Sequence, residues 1–589
     1  MLDEILLNIH KPGRYIGQEW NMSKKDFDNC NIKFALCFPD LYEVGMSNLG
    51  IRIIYGILNS LPDVVCERFF ACGSDMEANL RQKGKEIFSL ENHKALREFD
   101  IAGFSLAHEL SYTNVLAILD LGKVPLKADG RGNNYPLIIG GGPCMMNPEP
   151  VYEFFDLFII GEAEEAIVEF IDFYRKVKTD YKSGKLSKYE LLKAASAIEG
   201  IYAPSLYEVE YGDDYGIKEF KPKSAGIKSK VKKRIVKDLN QSFVSLKWIV
   251  PYIQIVHDRI TLEIMRGCPN SCRFCQARHQ YAPFRKRSID NILNAAQQSY
   301  KNSGYEEIAL GGLSVSDYPQ IEELLKVLIA FFKTECVSVS LPSIKPKIML
   351  GELSSLIATI KKTGLTFAPE AAAQKLRDIL GKDFSTQDFF KVIEQAFASG
   401  YQRVKLYFMA GVPFEQNSDL DEIVNFAVKV SELRRKFKNR PAQVNLSINT
   451  LIPKPHTPFQ WLKMEDLNSM LYKQEYLKKQ VKKHRMIKLS FHDPYLSFLE
   501  GVLSRGDRRL SSVILNAYNA GARLEGWQEN FSFQRWIKAF EDAGIDPQVY
   551  LREKLKEQLL PWDLLDIGVS KELLLKELSR VDKLIDNQE

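Results

Sequence analysis

The tightest constraint in this sequence is the stretch Thr261-Leu262-Glu263-Ile264-Met265-Arg266-Gly267-Cys268-Pro269-Asn270-Ser271-Cys272-Arg273-Phe274-Cys275. A short apolar run of strand character stops at Arg266-Gly267, and a polar turn then carries cysteines in the spacing Cys-x-x-x-Cys-x-x-Cys. Thiols that close together in a turn make chemical sense as thiolates converging on a metal. Iron-sulfur cubanes normally take four cysteines, so a set of three leaves one iron without a protein ligand, the open position a catalytic centre needs. The same residues also admit a zinc knuckle, with His279 as the nearby fourth ligand, or a ferredoxin-like electron carrier. Zinc would not require the strand and helix pattern that follows, and a ferredoxin would want a fourth cysteine and a much shorter chain.

At 589 residues the chain is too long for one core and implies two or three domains. Its apolar content of 45% and charged content of 26% are those of an ordinary globular protein, and a net charge of +5 says little about partners. The cysteines outside the 268–275 loop are scattered like reduced thiols, not like a disulfide framework. The start, Met1-Leu2-Asp3-Glu4-Ile5-Leu6-Leu7, is acidic and lacks a long apolar core, and no run of eighteen apolar residues occurs, so neither a signal peptide nor a membrane span is expected. A reducing cytoplasm suits these features and would protect an oxygen-sensitive cluster.

Residues 1–175 read as alternating strand and helix. Strand-like runs at 32–38, 101–106, 137–140 and 157–160 are separated by helical patterns, which argues for a doubly wound, flavodoxin-like parallel sheet. Ligands of such sheets sit at the carboxyl ends of the strands, where this chain places Pro39-Asp40-Leu41-Tyr42-Glu43-Val44-Gly45, Gly140-Gly141-Gly142-Pro143 and Gly161-Glu162-Ala163-Glu164. Residues 176–250 form a connecting region with a reversal at Gly212-Asp213-Asp214 and a basic run, 221–237, that reads as a solvated linker. From 251 to 460 strand alternates with helix again. With the run before the cysteines, 308–310, 336–340, 365–368, 404–408 and 444–448 make six strands, a partial (β/α)6 barrel with its site at the strand carboxyl ends.

These motifs resemble the radical S-adenosylmethionine (SAM) superfamily, over roughly residues 30 to 460. The resemblance implies that Cys268, Cys272 and Cys275 hold a [4Fe-4S] cluster whose open iron takes the amino and carboxylate groups of SAM. A low-potential donor of flavodoxin or ferredoxin type would supply the electron that yields a 5′-deoxyadenosyl radical. Phe274 would then pack near the adenine. Gly311-Gly312-Leu313-Ser314 stands where the family has Gly-Gly-Glu, without its acidic residue, and Gly311, Gly312 and Glu370 would contact SAM. Gly411-Val412-Pro413 and Ile452-Pro453-Lys454-Pro455-His456-Thr457-Pro458 are similar to proline-fixed loops beside the adenosine, and Arg285 and Arg287 stand where they would position SAM or support the fold.

The first domain is similar to the cobalamin-binding-like domain of one branch of that superfamily. That branch's cobalt-ligating histidine is replaced here by Tyr42, and a phenol is a poor substitute. Cobalamin without a protein ligand, and a domain that has lost the cofactor, both remain open. In radical SAM methylthiotransferases this domain instead holds a second cluster; Cys37 and Cys72 suit that reading, but the strand ending at Ser105-Leu106-Ala107-His108 offers no thiol.

Residues 461–589 read as a helical extension. Lys473 to Lys488 and Ser504-Arg505-Gly506-Asp507-Arg508-Arg509 could guide RNA or another polyanion, and equally could be the wet faces of amphipathic helices. The stretches from Glu500 to Gly526 and at Pro561-Trp562-Asp563 are similar to a bacterial family of unassigned activity. The chemistry expected is hydrogen abstraction by the adenosyl radical, with cobalamin-dependent methylation as one outcome. The alternatives are sulfur insertion and a non-catalytic iron-sulfur scaffold that binds RNA.

Overall fold

A computed structural model describes residues 2–212, 216–340 and 365–586 of the chain. Asp213 and Asp214 of the expected reversal lie outside the described residues.

The N-terminal sheet has the order β2-β1-β3-β4-β5-β6, where β1 is Ile32–Phe38, β2 Val64–Phe70, β3 Ile101–Ser105, β4 Leu137–Gly141, β5 Leu157–Ile159 and β6 Ile201–Tyr202. The first five strands are parallel, and β6 pairs antiparallel through Phe158 and Tyr202. This 2-1-3-4-5 order is the flavodoxin-like winding, with its switch point between β1 and β3. The helix Leu49–Ser60 covers one face; the Asn48 side chain caps it by accepting the Ile51 N–H at 3.2 Å, and Ile51, Tyr55 and Leu58 turn inward.

Strand β2 is absent from the sequence reading because Glu67-Arg68 interrupts its apolar run. Both side chains are nevertheless buried, and the structure satisfies them. The Arg68 guanidinium lies between Glu19 and Glu91, 2.7 Å from the latter, and Glu67 accepts from Ser89 and from Asn92 at 2.6 Å. A buried ion network of this kind cannot be seen in a strand pattern, because its partners come from distant loops.

The basic run is solvated at Lys221, Lys223, Lys228, Lys230, Lys232 and Lys237, but it is tied into the fold at other positions. Lys233 is 1% exposed, Arg234 bridges Glu165 and Glu169, and Val231–Lys232 pairs in parallel with Leu565–Asp566 from far along the chain.

Beyond it, Ile260–Glu263, Glu307–Gly311 and Ser338–Ser340 form a three-stranded parallel sheet. Leu365–Glu370, Arg403–Ala410, Gln443–Thr450 and Ile487–Phe491 form a four-stranded one. Leu262, Leu310 and Val339 of the first sheet share one core with Phe367, Leu406, Leu446 and Ile487 of the second. The strand Ile487–Phe491 adds to the six expected. Its lysine-rich approach reads as helix, but the helix Leu467–Val481 ends before it, and Ile487-Lys488-Leu489-Ser490-Phe491 alternates with the period of a half-buried strand.

The remaining helices, among them Pro494–Arg505, Leu510–Asn519 and Phe533–Ala543, pack chiefly on the N-terminal sheet and share its core through Leu499, Val513 and Trp536. Asn147 donates to the carbonyls of Ser504 and Gly506 at 3.0 and 2.8 Å, and Arg508 bonds Glu149 at 2.6 Å. Among the described residues no helix is long and apolar enough to cross a membrane.

Replacing Arg68 with Met strands two buried carboxylates. Removing one partner of a buried ion pair costs about 3–5 kcal/mol, so Arg68→Met should lower the unfolding free energy obtained from urea titration by that amount. Adding Glu19→Gln and Glu91→Gln to it should recover much of the loss.

Candidate functional site

The cysteine loop leaves the first strand of the three-stranded sheet through a two-residue ribbon, in which Met265 pairs with Lys286 and Arg266 with Arg285. At Gly267 the backbone turns with φ +81°, and a Cβ there would lie 2.6 Å from the Pro283 carbonyl, so only glycine fits. Arg266, buried at the loop's base, is held by Glu263 at 2.8 Å, Glu164 at 2.6 Å and Glu162 at 3.1 Å. Arg285 adds a second guanidinium on Glu162 at 2.6 Å. Burial opposes these charges, and the facing ions more than offset it: Arg266 rises above its usual value, while Glu162 falls below its own. The Gly161-Glu162-Ala163-Glu164 motif, expected at a ligand loop of the first domain, is thus the clamp on the cysteine loop. Arg285 and Arg287 are supports too, since Arg287 donates to the carbonyls of Glu263, Leu239 and Ser242.

Four further contacts fix the loop. Asn270 Nδ2 donates to Cys268 Sγ at 3.1 Å and to Asp317 at 2.8 Å, and Asp317 also accepts from Ser314 at 2.6 Å. This couples the cysteines to the loop after the Gly311-Gly312 strand end. Arg273 reaches the carbonyls of Asp378 and Ile379, at 2.6 and 3.0 Å, and Glu577 of the helix Lys571–Asp586 at 3.2 Å. Gln276 donates to the Pro455 carbonyl at 3.2 Å. Lys233 caps the short helix Gln276–Gln280, donating to the carbonyls of His279, Gln280 and Ala282 at 3.1, 2.9 and 3.0 Å. Burial draws that ammonium down to about 8. Sequence reasoning missed Arg273 and Lys233; no local pattern marks them, because their partners are backbone carbonyls.

All three cysteines are half-buried. Burial pushes the Cys275 thiol up, as do Cys272 and Cys268, whereas the Arg278 N–H and Lys382 favour its thiolate. The sulfurs of Cys268 and Cys272 act on that of Cys275. His279 is buried and drawn down to about 4 by desolvation and the charges of Arg278 and Lys233. Among the described residues neither it nor any carboxylate joins the thiols as a close ligand set. Three half-buried thiols in one loop are a donor set that fits a cubane with one iron left open.

The other expected residues gather unevenly. Glu370 ends the strand Leu365–Glu370 with φ +68°, a strained backbone for a non-glycine residue. Burial raises its carboxyl, and Lys382, 3.3 Å away, opposes that shift. The same lysine acts on Cys275, so Glu370 and the cysteine loop meet across one ammonium. Gly312 lies so close to the base of the loop that a Cβ would fall 2.6 Å from Met265 Cγ. Its missing side chain therefore serves packing, whatever its backbone also meets. Gly311 sits beside it with a looser fit, 3.2 Å from Thr261. Phe274 is half-buried against Leu376, Met409 and Phe459.

The loop at Pro453–Thr457 joins the units. Lys454 bonds Glu109 at 2.7 Å and Glu500 at 2.8 Å, and His456 reaches the Met146 carbonyl through Nε2 at 2.9 Å. His108 stands beside this network, 3.5 Å from Glu500, with 48% of its side chain still accessible. Its Nδ1 accepts the Leu110 N–H at 3.2 Å, which places the ring proton of the neutral form on Nε2. His108, Glu109 and Glu500 could together hold a metal ion, but the Lys454 ammonium already bonds both carboxylates.

In the first domain, Tyr42 is 1% exposed and gives its hydroxyl to Glu19, so it presents no ligand to a cobalt. Asp40 accepts from Trp527 at 2.9 Å, and Asn114 takes the Leu524 N–H at 2.7 Å, so residues of the helical cap cover the β1/β3 switch point. Tyr42 thus gives this strand end no free ligand atom. Cys37, Cys72 and Cys144 are buried, and burial pushes their thiols up. The Arg-rich turn is not a polyanion surface either: Arg505 is buried, and Arg508 and Arg509 are paired with Glu149 and Asp507. Lys478, Lys479, Lys482 and Lys483 lie on the wet face of their segment, above buried Leu477 and Val481.

Fold and site together make an α/β protein whose three-cysteine loop leaves the first strand of a parallel sheet. Residues 262–427 match the family model described as the radical SAM superfamily, and residues 50–204 that described as radical SAM proteins, N-terminal. The chain belongs to the radical SAM superfamily, whose cofactors are a [4Fe-4S] cluster and SAM. It is 29% identical over 520 residues to an uncharacterised protein of Methanocaldococcus jannaschii, covering 88% of this chain and 98% of the relative. Its fold is similar to that of the radical SAM methyltransferase TsrM of Kitasatospora setae, solved with cobalamin and a [4Fe-4S] cluster. The TM-score is 0.51 at 10% identity, with 89% of this chain and 100% of the other covered. The cobalamin-dependent SAM radical enzyme OxsB aligns with a TM-score of 0.48 at 13% identity, over 94% of this chain and 84% of that one.

Burial holds the His456 ring neutral, drawn down to about 3. The unfolded chain takes up a proton at this residue below about pH 6.5, and the folded ring refuses it until near pH 3. Its contribution to stability is therefore full above pH 6.5 and is lost as pH falls, by about 1.4 kcal/mol per pH unit. Urea midpoints measured from pH 6.5 to 5 should fall less steeply in His456→Asn than in the parent by one proton's worth.

Proposed function

We propose that this chain cleaves SAM reductively at a [4Fe-4S] cluster held by Cys268, Cys272 and Cys275 and modifies a substrate that the sequence does not name. The observation that carries the reading is a three-thiol loop inside the segment that matches the superfamily model. When bound, the cluster supplies the electron that breaks the sulfonium to a 5′-deoxyadenosyl radical, which takes a hydrogen atom from the substrate.

The chain's own residues do the positioning. Arg266, Arg273 and Lys233 hold the loop rigid, the Asn270 amide donates to Cys268 Sγ, and the Arg278 N–H favours the thiolate form of Cys275. Glu370, in a desolvated carboxyl site beside the loop, is the acidic group suited to the SAM ribose or amino group, with the backbone of Gly311 and Gly312 facing the same strand ends. Phe274 is assigned to the adenine side of the loop. A flavodoxin- or ferredoxin-type donor is the reductant this chemistry calls for.

Methyl transfer with cobalamin in the first domain is the favoured outcome of the radical chemistry. The 2-1-3-4-5 winding supports it, as does the fold likeness to a radical SAM methyltransferase bound to cobalamin. The corrinoid would bind without a cobalt ligand from Tyr42. RNA as substrate rests only on the exposed lysines of 478–483.

Anaerobic reconstitution with iron and sulfide, then dithionite and SAM, should give 5′-deoxyadenosine, and Cys275→Ala should abolish it. A reconstituted protein that binds iron but forms no deoxyadenosine under reductant sinks the enzyme reading. In the same assay Glu370→Gln should keep its iron content and raise the KM for SAM about 10- to 100-fold, the loss of one charged hydrogen-bonding group. A corrinoid absorption band retained after gel filtration tests the methylation reading.

A further inference from the structure

A second charged site lies away from the cysteine loop, in the helical cap. Arg505, Arg509, Lys554, Asp507, Tyr550 and neighbouring residues line a cavity of about 210 Å³. Among the described residues its lining carries the cations Arg505, Arg509, Arg552 and Lys554 and the carboxylates Asp507 and Glu553. Arg505 is 0% exposed, and its guanidinium bonds backbone carbonyls: Tyr550 at 2.8 Å, Pro453 at 2.9 Å and Arg552 at 3.1 Å. Asp507 is taken by Arg509 at 2.5 Å and by the Tyr550 hydroxyl at 3.2 Å. Arg509 is further pinned over the Tyr211 ring, 4.2 Å from its centroid. The rim residue Glu553 faces solvent, and Arg552 pairs outward with Asp546 at 3.2 Å.

Lys554 completes the wall. Its backbone N–H donates to the Trp461 carbonyl at 2.8 Å, which fixes the chain there, but its ammonium has no hydrogen-bond acceptor or carboxylate partner among the described residues. Burial, with Arg505 and Arg509 close by, draws it down to about 7. A half-buried ammonium beside two guanidiniums is repelled by them, and an oxyanion in the cavity would offset that repulsion. The volume holds a phosphate with a small attached group and is too small for a nucleic acid strand.

We propose that this cavity is a binding site for a phosphate or phosphomonoester group of a small molecule, with Lys554 as its primary ligand and Arg509 and Arg505 beside it. The site goes beyond the radical chemistry and does not depend on it. It touches the rest of the protein through the Pro453 and Trp461 carbonyls, which flank the loop that contacts Gln276. A bound anion would thus brace the loop that joins cap, sheet and cysteines.

The test is calorimetric titration of the full chain with inorganic phosphate in a chloride buffer of fixed ionic strength. Saturable binding of one phosphate per chain is expected, weakened at least tenfold in Lys554→Met. Lys479→Met, on the exposed face of the helix Leu467–Val481, should titrate like the parent. Should Lys554→Met fold poorly, Lys554→Gln and Arg509→Met, checked by melting temperature, replace it. No saturable heat with the parent, or equal affinities in parent and Lys554 variants, overturns the site. Both outcomes are independent of cluster content, since the titration uses no SAM and no reductant.

Discussion

The guanidinium of Arg266 is the constraint on which the rest of the site depends. It sits at the root of the cysteine loop and draws carboxylates from two units, Glu263 from its own strand and Glu162 and Glu164 from the end of the first domain's fifth strand. Because the charges are buried, none can leave without stranding the others, so the loop's direction is set before any metal arrives. Rigid supports around a set of ligands lower the reorganisation needed for binding, and here they come from charge pairing and carbonyl capping instead of extra apolar packing.

The three units are one assembly more than a string of domains. The cap shares a core with the N-terminal sheet, and Leu524 and Trp527 cover that sheet's switch point. The connecting region pairs with a strand from beyond residue 560, and the Pro453–Thr457 loop binds both the first domain and the cap. Closing the switch point with the chain's own side chains means that any ligand there must engage the cap as well as the sheet.

The parts legible in the sequence were those with a local signature. The cysteine spacing, the strand and helix alternation, and the glycine turn at Gly267 can be read from neighbouring residues, and they led to the right fold class. What escaped was non-local. Strand β2 hides because Glu67 and Arg68 look exposed until Glu19, Glu91 and Ser89 arrive from elsewhere in the chain. Lys233 looks like one more lysine of a basic run until three carbonyls converge on it. The strand at Ile487 hides behind lysines whose outward side chains mask its alternation. Glu162 was noticed for the wrong reason: its motif resembles a ligand loop, and its partner turned out to be an arginine.

One contact has a consequence for how the protein comes into being. Arg273, in the middle of the cysteine loop, pairs with Glu577, 304 residues further along. A ribosome delivers the thiols long before it delivers their last brace, so a nascent chain displays them in a looser setting than the finished one. Metal loading during synthesis would meet a pliable loop, and loading afterwards a locked one; the order of translation, folding and assembly is thereby written into the distance between two oppositely charged side chains.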